Sequence, residues 1–216
     1  MKILSWAVVG ALFGWWASKR AANDVCLLRR HGETFGEAHV TDHGFTPHIA
    51  AAVNGLLNVA LLFRFNQGFV AGSFSILFAF GTLLALIDVD THLLPREVVL
   101  AACACAVPLL IISSRIDSRG SSIRMLTGSA LMWGTLRILQ MASRGDLGSG
   151  DVRLGAMLGM YLGWISYEAM FFALVAASVI AGFYALTTMA RGNAQRTTRF
   201  AFGPFLIVGT AIAVLR

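Results

Sequence analysis

The sequence predicts an all-α polytopic membrane protein with about eight transmembrane helices, and seven helices also fit the pattern. Hydrophobic residues make up 57% of the 216 residues, and the mean hydropathy is +0.72. Only 13% of the residues are charged, whereas soluble domains carry roughly 25%. Because the length suits one helical domain, we expect a single membrane-embedded domain over residues 1–216.

The apolar residues group into segments that short polar stretches separate. These segments lie at about 3–17, 48–63, 69–87, 98–113, 125–142, 152–166, 168–189 and 201–215. Several are shorter than the ~20 residues of an ideal span, so the predicted boundaries are approximate. The first segment also allows a signal peptide, but residues 17–19 form a poor cleavage site, and Trp15 and Trp16 indicate an interface anchor.

The basic residues predict how the helices are oriented. With eight spans, eleven of the Lys and Arg residues fall on one side of the membrane and six on the other. The positive-inside rule then places the amino terminus outside and the richer side in the cytoplasm. Residues 18–47, the only long polar segment, become a cytoplasmic loop. Contact with anionic lipid accounts for the net charge of +6, and no aromatic-basic motif points to nucleic acid.

A carboxylate lies at the end of the third apolar segment. Asp88 closes this segment, and Pro95 follows seven residues later. Because proline disfavours helix at the residue before it, we expect a break between two spans here. Asp90 is a competing acid, but in a helix it points about 200° away from Asp88. An acid at a span end often only terminates the span, so this motif alone indicates no chemistry.

A second carboxylate stands in a glycine-rich string that precedes another apolar segment. The string reads Gly148-Ser149-Gly150-Asp151-Val152-Arg153-Leu154. Glycines let a backbone turn tightly and approach its neighbours, and Asp151 has the position of a helix cap. Small residues then recur every four positions, at Gly155, Gly159 and Gly163. Such a face lets membrane helices pack closely, which would hold Asp151 at a fixed depth.

The two acids are predicted to lie on the same, cytoplasmic side, so they can act together. Burying an Asp at a helix centre costs about 2.5–3.5 kcal/mol on insertion scales, which favours a functional role. Two close carboxylates share a proton and can activate a water for peptide hydrolysis. The alternative is a small membrane transporter or proton relay that uses Asp88 and Asp151, since transporters also bury acids. No inverted repeat is visible to support that alternative.

Together the two strings resemble the type IV prepilin peptidases, which belong to the GxGD intramembrane aspartyl proteases. The residues that carry this resemblance are Asp88 and Pro95 in the first motif, and Gly148, Gly150, Asp151, Arg153 (at the usual Lys) and Leu154 in the second. The segment 202–206, Phe-Gly-Pro-Phe-Leu, is similar to a further segment of the family. No Pro-Ala-Leu motif occurs near the end, which favours the prepilin branch over the presenilin-like branch.

The resemblance implies a GxGD protease-like helix bundle in which Asp88 and Asp151 are the catalytic pair. The implied substrates are type IV prepilins or pseudopilins, whose short basic leader is removed at the cytoplasmic face. The implied location is a bacterial or archaeal-type cytoplasmic membrane. The two aspartates titrate as a coupled pair, and the sequence does not assign the acid role or the base role to either one. It also leaves the particular prepilin and the oligomeric state open.

The chain is similar to a short form of this family. Larger members carry two CxxC pairs that bind zinc in the first cytoplasmic loop, and they methylate the new amino terminus with S-adenosylmethionine. Here the three cysteines, Cys26, Cys103 and Cys105, form no CxxC pair. We therefore expect no zinc site and no cofactor for proteolysis. S-adenosylmethionine is implied only if methylation persists, which the sequence leaves open.

Overall fold

The computed structural model describes residues 2–30, 47–65, 68–91, 94–116, 120–143, 147–191 and 202–216. Within these ranges the chain forms eight α-helices: α1 Lys2–Arg30, α2 Pro47–Arg64, α3 Gly68–Thr91, α4 Arg96–Ile116, α5 Ser122–Ala142, α6 Ser149–Ile165, α7 Tyr167–Ala190 and α8 Gly203–Leu215. Three of them, α3, α4 and α7, are long and apolar enough to cross a membrane. The predicted all-α polytopic class is confirmed.

The first helix is longer than the sequence pattern predicted. Residues 18–30 belong to α1, whereas we expected them in a loop over 18–47. The apolar run ends near Ala17, but the following residues include neither Gly nor Pro and are rich in Ala, Leu, Lys and Arg. These are strong helix formers, so the helix continues where the hydropathy falls. Residues 31–46 lie outside the described part of the chain.

Close packing between α5 and α6 depends on the glycines that recur every four residues. A Cβ added to Gly159 would lie 2.6 Å from the carbonyl oxygen of Gly128 on α5. A Cβ added to Gly163 would lie 2.9 Å from the Cα of the same Gly128, and one at Gly155 would collide with Leu136. The two backbones therefore approach each other directly, as small residues permit in membrane helices. This packing holds α6 against α5 from Gly155 to Gly163.

Helices α1, α2 and α3 form a second closely packed group. A Cβ at Gly10 would lie 2.5 Å from the carbonyl oxygen of Asn54 and 2.7 Å from the Cβ of Asn58. The buried side chain of Asn54 donates from Nδ2 to the Thr82 hydroxyl of α3 at 2.6 Å. A glycine contact thus joins α1 to α2, and a side-chain hydrogen bond joins α2 to α3.

The centre of the molecule is built from α3, α6 and α8. At one end of α6, Trp164 donates from Nε1 to the Leu110 carbonyl at 3.1 Å and to the Ser114 hydroxyl at 2.9 Å. Gly81 of α3 faces Ile207 of α8, whose Cγ2 lies 3.2 Å from an ideal Cβ position. The opposite end of α6, the C-terminal turn of α3 and the start of α8 meet at the other end of the bundle.

Candidate active site

Both predicted acids lie at this meeting point. Asp88 occupies the last turns of α3, and Asp151 occupies the first turn of α6. Their side chains are buried, with 3% and 5% of their surface exposed. The two carboxyl groups also interact electrostatically with each other. The fold therefore brings together two acids that are more than sixty residues apart in the sequence.

A glycine at the start of α8 completes the site. A Cβ added to Gly203 would lie 2.6 Å from Oδ2 of Asp88 and 3.3 Å from Oδ1 of Asp151. The backbone amide of Gly203 faces both carboxyl groups. This amide belongs to the first turn of a helix, where the aligned peptide dipoles favour negative charge. Only a residue without a side chain fits between α8 and the two acids in this arrangement.

Two oxygens of the acid pair have no hydrogen-bond partner among the described residues. They are Oδ2 of Asp88 and Oδ1 of Asp151, both of which are buried. These are also the oxygens that lie against Gly203. Because buried polar atoms are nearly always hydrogen-bonded, these two oxygens are the natural acceptors for a water or a substrate group. The pair thus has the geometry of a site for an additional polar molecule.

The turn before α6 holds Asp151 from one side. Gly148 is the N-cap of α6, with φ −64° and ψ 144°, and as a glycine it has no side chain to cap the first helical amides. Asp151 is the third helical residue, and its carboxyl group faces the Gly148 amide. This is one half of a capping box, in which a side chain at that position reaches back to the N-cap amide. Asp151 therefore caps its own helix while it faces Asp88.

The second glycine of the motif has a packing role. A Cβ at Gly150 would lie 2.7 Å from the Cβ of Leu94, in the break between α3 and α4. The carbonyl of Pro95, the next residue, accepts from the Val99 amide at 3.3 Å and so starts α4. We expected these glycines to allow a tight turn and close approach to neighbours: Gly150 makes the close approach, whereas Gly148 has an ordinary φ. The two sequence motifs are therefore in direct contact.

The remaining predicted residues lie around this pair. Leu154 is fully buried in the core, and Arg153 is exposed. The side chain of Asp90, the competing acid, lies outside the described residues, as do those of Cys26 and the histidines of residues 31–46. In the described part of the chain, no three His, Cys, Asp or Glu residues are grouped to hold a metal.

Gly203 is the site residue that sequence reasoning missed. The segment around it was noticed as a family-like string, but nothing in its composition pointed to the acids. Its one signal is a glycine directly before a proline at the start of an apolar run, which is typical of a helix beginning. The sequence does not say that this helix begins against Asp88 and Asp151.

Comparisons with known proteins identify a family for most of the helices that form this site. The model of the type IV leader peptidase family matches residues 75–186, which include both acids. A prepilin leader peptidase/N-methyltransferase of Stutzerimonas stutzeri is 27% identical over 170 residues, covering 74% of this chain and 55% of the relative. The protein of the same name from Aeromonas hydrophila is 25% identical over 166 residues, covering 76% and 56%.

A third relative of that name, from Burkholderia pseudomallei strain 1026b, is 30% identical over 140 residues, covering 62% of this chain and 44% of the relative. The chain spans about half the length of the curated relatives it matches. No solved structure matches the chain. Gly203 lies beyond the residues that the family model matches, whereas Asp88, Pro95 and the glycine string lie within them.

Proposed function

The chain belongs to the type IV leader peptidase family, and from this we propose that it is a membrane aspartic endopeptidase. Its substrates would be type IV prepilins or pseudopilins, from which it removes the short basic leader. One observation carries the proposal: the buried carboxyl groups of Asp88 and Asp151 face the same backbone amide, with one free oxygen each. The names of the relatives support the choice of substrate.

In the proposed mechanism, Asp88 and Asp151 hold a water between them. Two carboxylates in one buried site cannot easily both ionise, so the pair shares one proton. The ionised group accepts a proton from the water as it attacks the peptide carbonyl carbon. The protonated group then donates to the leaving amine. General acid–base catalysis of this kind contributes about 10²–10⁴-fold in rate.

The Gly203 amide has a supporting part in this mechanism. It faces both carboxyl groups, so it favours the ionised state of whichever one has lost its proton. The same amide keeps the two acids at a fixed separation, because it approaches both of them. Because the two carboxyl groups titrate as a coupled pair, neither one is assigned as the acid or as the base. The mechanism uses no metal ion.

The reaction is proposed for the cytoplasmic face of the membrane. The positive-inside rule supports this orientation, since the side that receives both acids also receives most of the basic residues. A leader rich in Lys or Arg would be held on the same side by the same rule. The cleavage site would then lie at the membrane edge, where α3 ends and α6 begins.

The test is cleavage of a purified prepilin by the full chain in detergent. Asp88→Asn and Asp151→Asn keep the shape of the side chain but cannot share a proton, so we expect each to lower cleavage at least about 10³-fold. Glu168→Gln, an exposed acid at the start of α7, is the matched control and should cleave normally. EDTA should leave the wild-type rate unchanged.

Two results would contradict the proposal. If both Asn variants still cleave, the acids do not perform the chemistry, and a transporter or proton relay becomes the better hypothesis. If the wild type cleaves none of the leader-bearing substrates offered, the substrate class is wrong. The second activity in the relatives' name, N-methyltransferase, is measured separately as a methyl group gained by the cleaved product when S-adenosylmethionine is added.

A further inference from the structure

We infer that Gln140 is a positioning residue for Asp151, an inference that rests on the proposed function. Gln140 lies near the end of α5 and is half-buried. Its Nε2 donates to the carbonyl oxygen of Leu147 at 2.9 Å, across the connection between α5 and α6. Leu147 directly precedes Gly148, whose amide faces the carboxyl group of Asp151. One side chain on α5 thus holds the backbone that orients the acid.

The Gln140 amide is itself held in place. Its Oε1 accepts a hydrogen bond from Arg137, which lies one turn earlier on the same face of α5. This bond fixes which end of the amide points toward Leu147, since only the nitrogen can donate. The arrangement needs both functions of an amide, an acceptor for Arg137 and a donor for Leu147. Glu supplies only the first function when ionised, and Met supplies neither.

The first turn of α6 depends on this bond more than the rest of the helix does. Farther along α6, Gly155, Gly159 and Gly163 pack directly against α5. At the start of the helix the N-cap residue Gly148 has no side chain of its own, and the Asp151 carboxyl group lies against it. The side chain of Leu147 is half-buried against the core, and its carbonyl accepts the bond from Gln140, which ties this turn to α5. Loss of Gln140 should therefore shift Asp151 and leave the fold intact.

Small shifts of this kind have large effects on rate. A displacement of about 1 Å, caused by a change away from the chemistry, can cost a hundredfold because reacting groups lose their alignment. We expect Gln140→Met and Gln140→Glu each to lower kcat about tenfold to a hundredfold. KM should stay within about twofold, because the substrate itself makes no contact with Gln140 in this account.

The experiment measures kcat, KM and thermal stability of the full chain in detergent, with a purified prepilin as substrate. The control is Thr135→Val on α5, which removes a hydroxyl that is exposed and bonds only to Leu131 within its own helix. A second readout, independent of activity, is backbone hydrogen exchange over 147–151. It should become faster in Gln140→Met, while exchange elsewhere in α5 and α6 stays the same.

The outcomes separate this inference from the proposed function. A loss of kcat with unchanged KM and stability in both Gln140 variants, and not in Thr135→Val, supports the positioning role. Unchanged kcat and exchange overturn it, as does a parallel loss of stability and activity, which would show a purely structural residue. If Asp151→Asn cleaves in the same assay, the proposed function fails first, and the exchange measurement alone then decides the role of Gln140.

Discussion

Helices α6 and α7 are neighbours in the chain but have opposite environments. α6 buries twelve of its 17 residues, whereas α7 buries only Ala173 and Ala177 out of 24. By composition α7 is the stronger membrane span, with 24 residues and a hydropathy of 2.2, whereas α6 has only 17 residues. Hydropathy does not separate these two environments, because the apolar stretch of α3 has the same hydropathy of 2.2 and is 72% buried. Nor does hydropathy indicate which helix carries the site.

The size of the side chains explains the difference. Gly159 of α6 meets the backbone of α5, whereas Gly182 of α7 has no atom within 4 Å of where its Cβ would lie. In α7, too, small residues make the close contacts. Its two buried alanines are the residues that meet Gly209 of α8. Small residues therefore mark where α6 and α7 approach a neighbouring backbone closely.

The largest effect of adding a side chain is expected at Gly203, where the helix start lies against the acids. In Gly203→Ala the new methyl group overlaps Oδ2 of Asp88 and so pushes the acids apart. We expect kcat/KM for prepilin cleavage to fall about a hundredfold. Gly182→Ala, where the methyl group points into open space, should cleave like the wild type. Equal activity of the two variants would show that the acids tolerate a side chain at 203 and that the site is looser than described.

Packing of α6 against α5 gives the next largest effect. Gly159→Ala forces a methyl group against the carbonyl of Gly128, and overpacking of this kind typically costs about 1–3 kcal/mol. Thermal unfolding in detergent should show the loss as a lower Tm. Gly134→Ala on α5 is the control, because nothing lies within 4 Å of its new methyl group and helix propensity improves. A Tm that falls equally in both variants would contradict direct backbone contact.

The smallest effect concerns the far end of α6. Trp164→Phe keeps most of the ring contact with Phe74 but loses the hydrogen bonds to Leu110 and Ser114. We expect a destabilisation of about 1–2 kcal/mol. Phe183→Leu on α7, whose side chain is 70% exposed, should change stability by less than about 0.5 kcal/mol. Denaturant or thermal unfolding of both variants measures this difference.

The number and order of the helices were predictable because each apolar segment of the sequence corresponds to one helix. Each of the eight apolar segments became a helix, and the break before Pro95 follows from the steric effect of proline on the residue before it. The extension of α1 was not predictable from hydropathy, because polar helix formers extend a helix without marking it as apolar. Helix propensity over 18–30 was the signal that could have shown it.

The site was less predictable than the fold. Spacing and family resemblance pointed to Asp88 and Asp151, and the structure places them together. The role of Gly203 depends on where α8 begins in space, and a single sequence does not encode that contact locally. The role of Gln140 was equally hard to predict. Its hydrogen bond to Leu147 joins the end of α5 to the residue before α6, and the polar composition between these helices indicates only a loop.

The contact between Leu94 and Gly150 has a consequence for how such chains vary. Since no room remains for a Cβ at 150 while a leucine stands at 94, the volumes of these two positions are coupled. The nearest atom is the Cβ of Leu94, at 2.7 Å, so an alanine at 150 should persist in natural variants only beside a glycine at 94, and the two positions should covary among relatives. A chimaera whose transplanted string carries a side chain at 150 would therefore also need a glycine at 94.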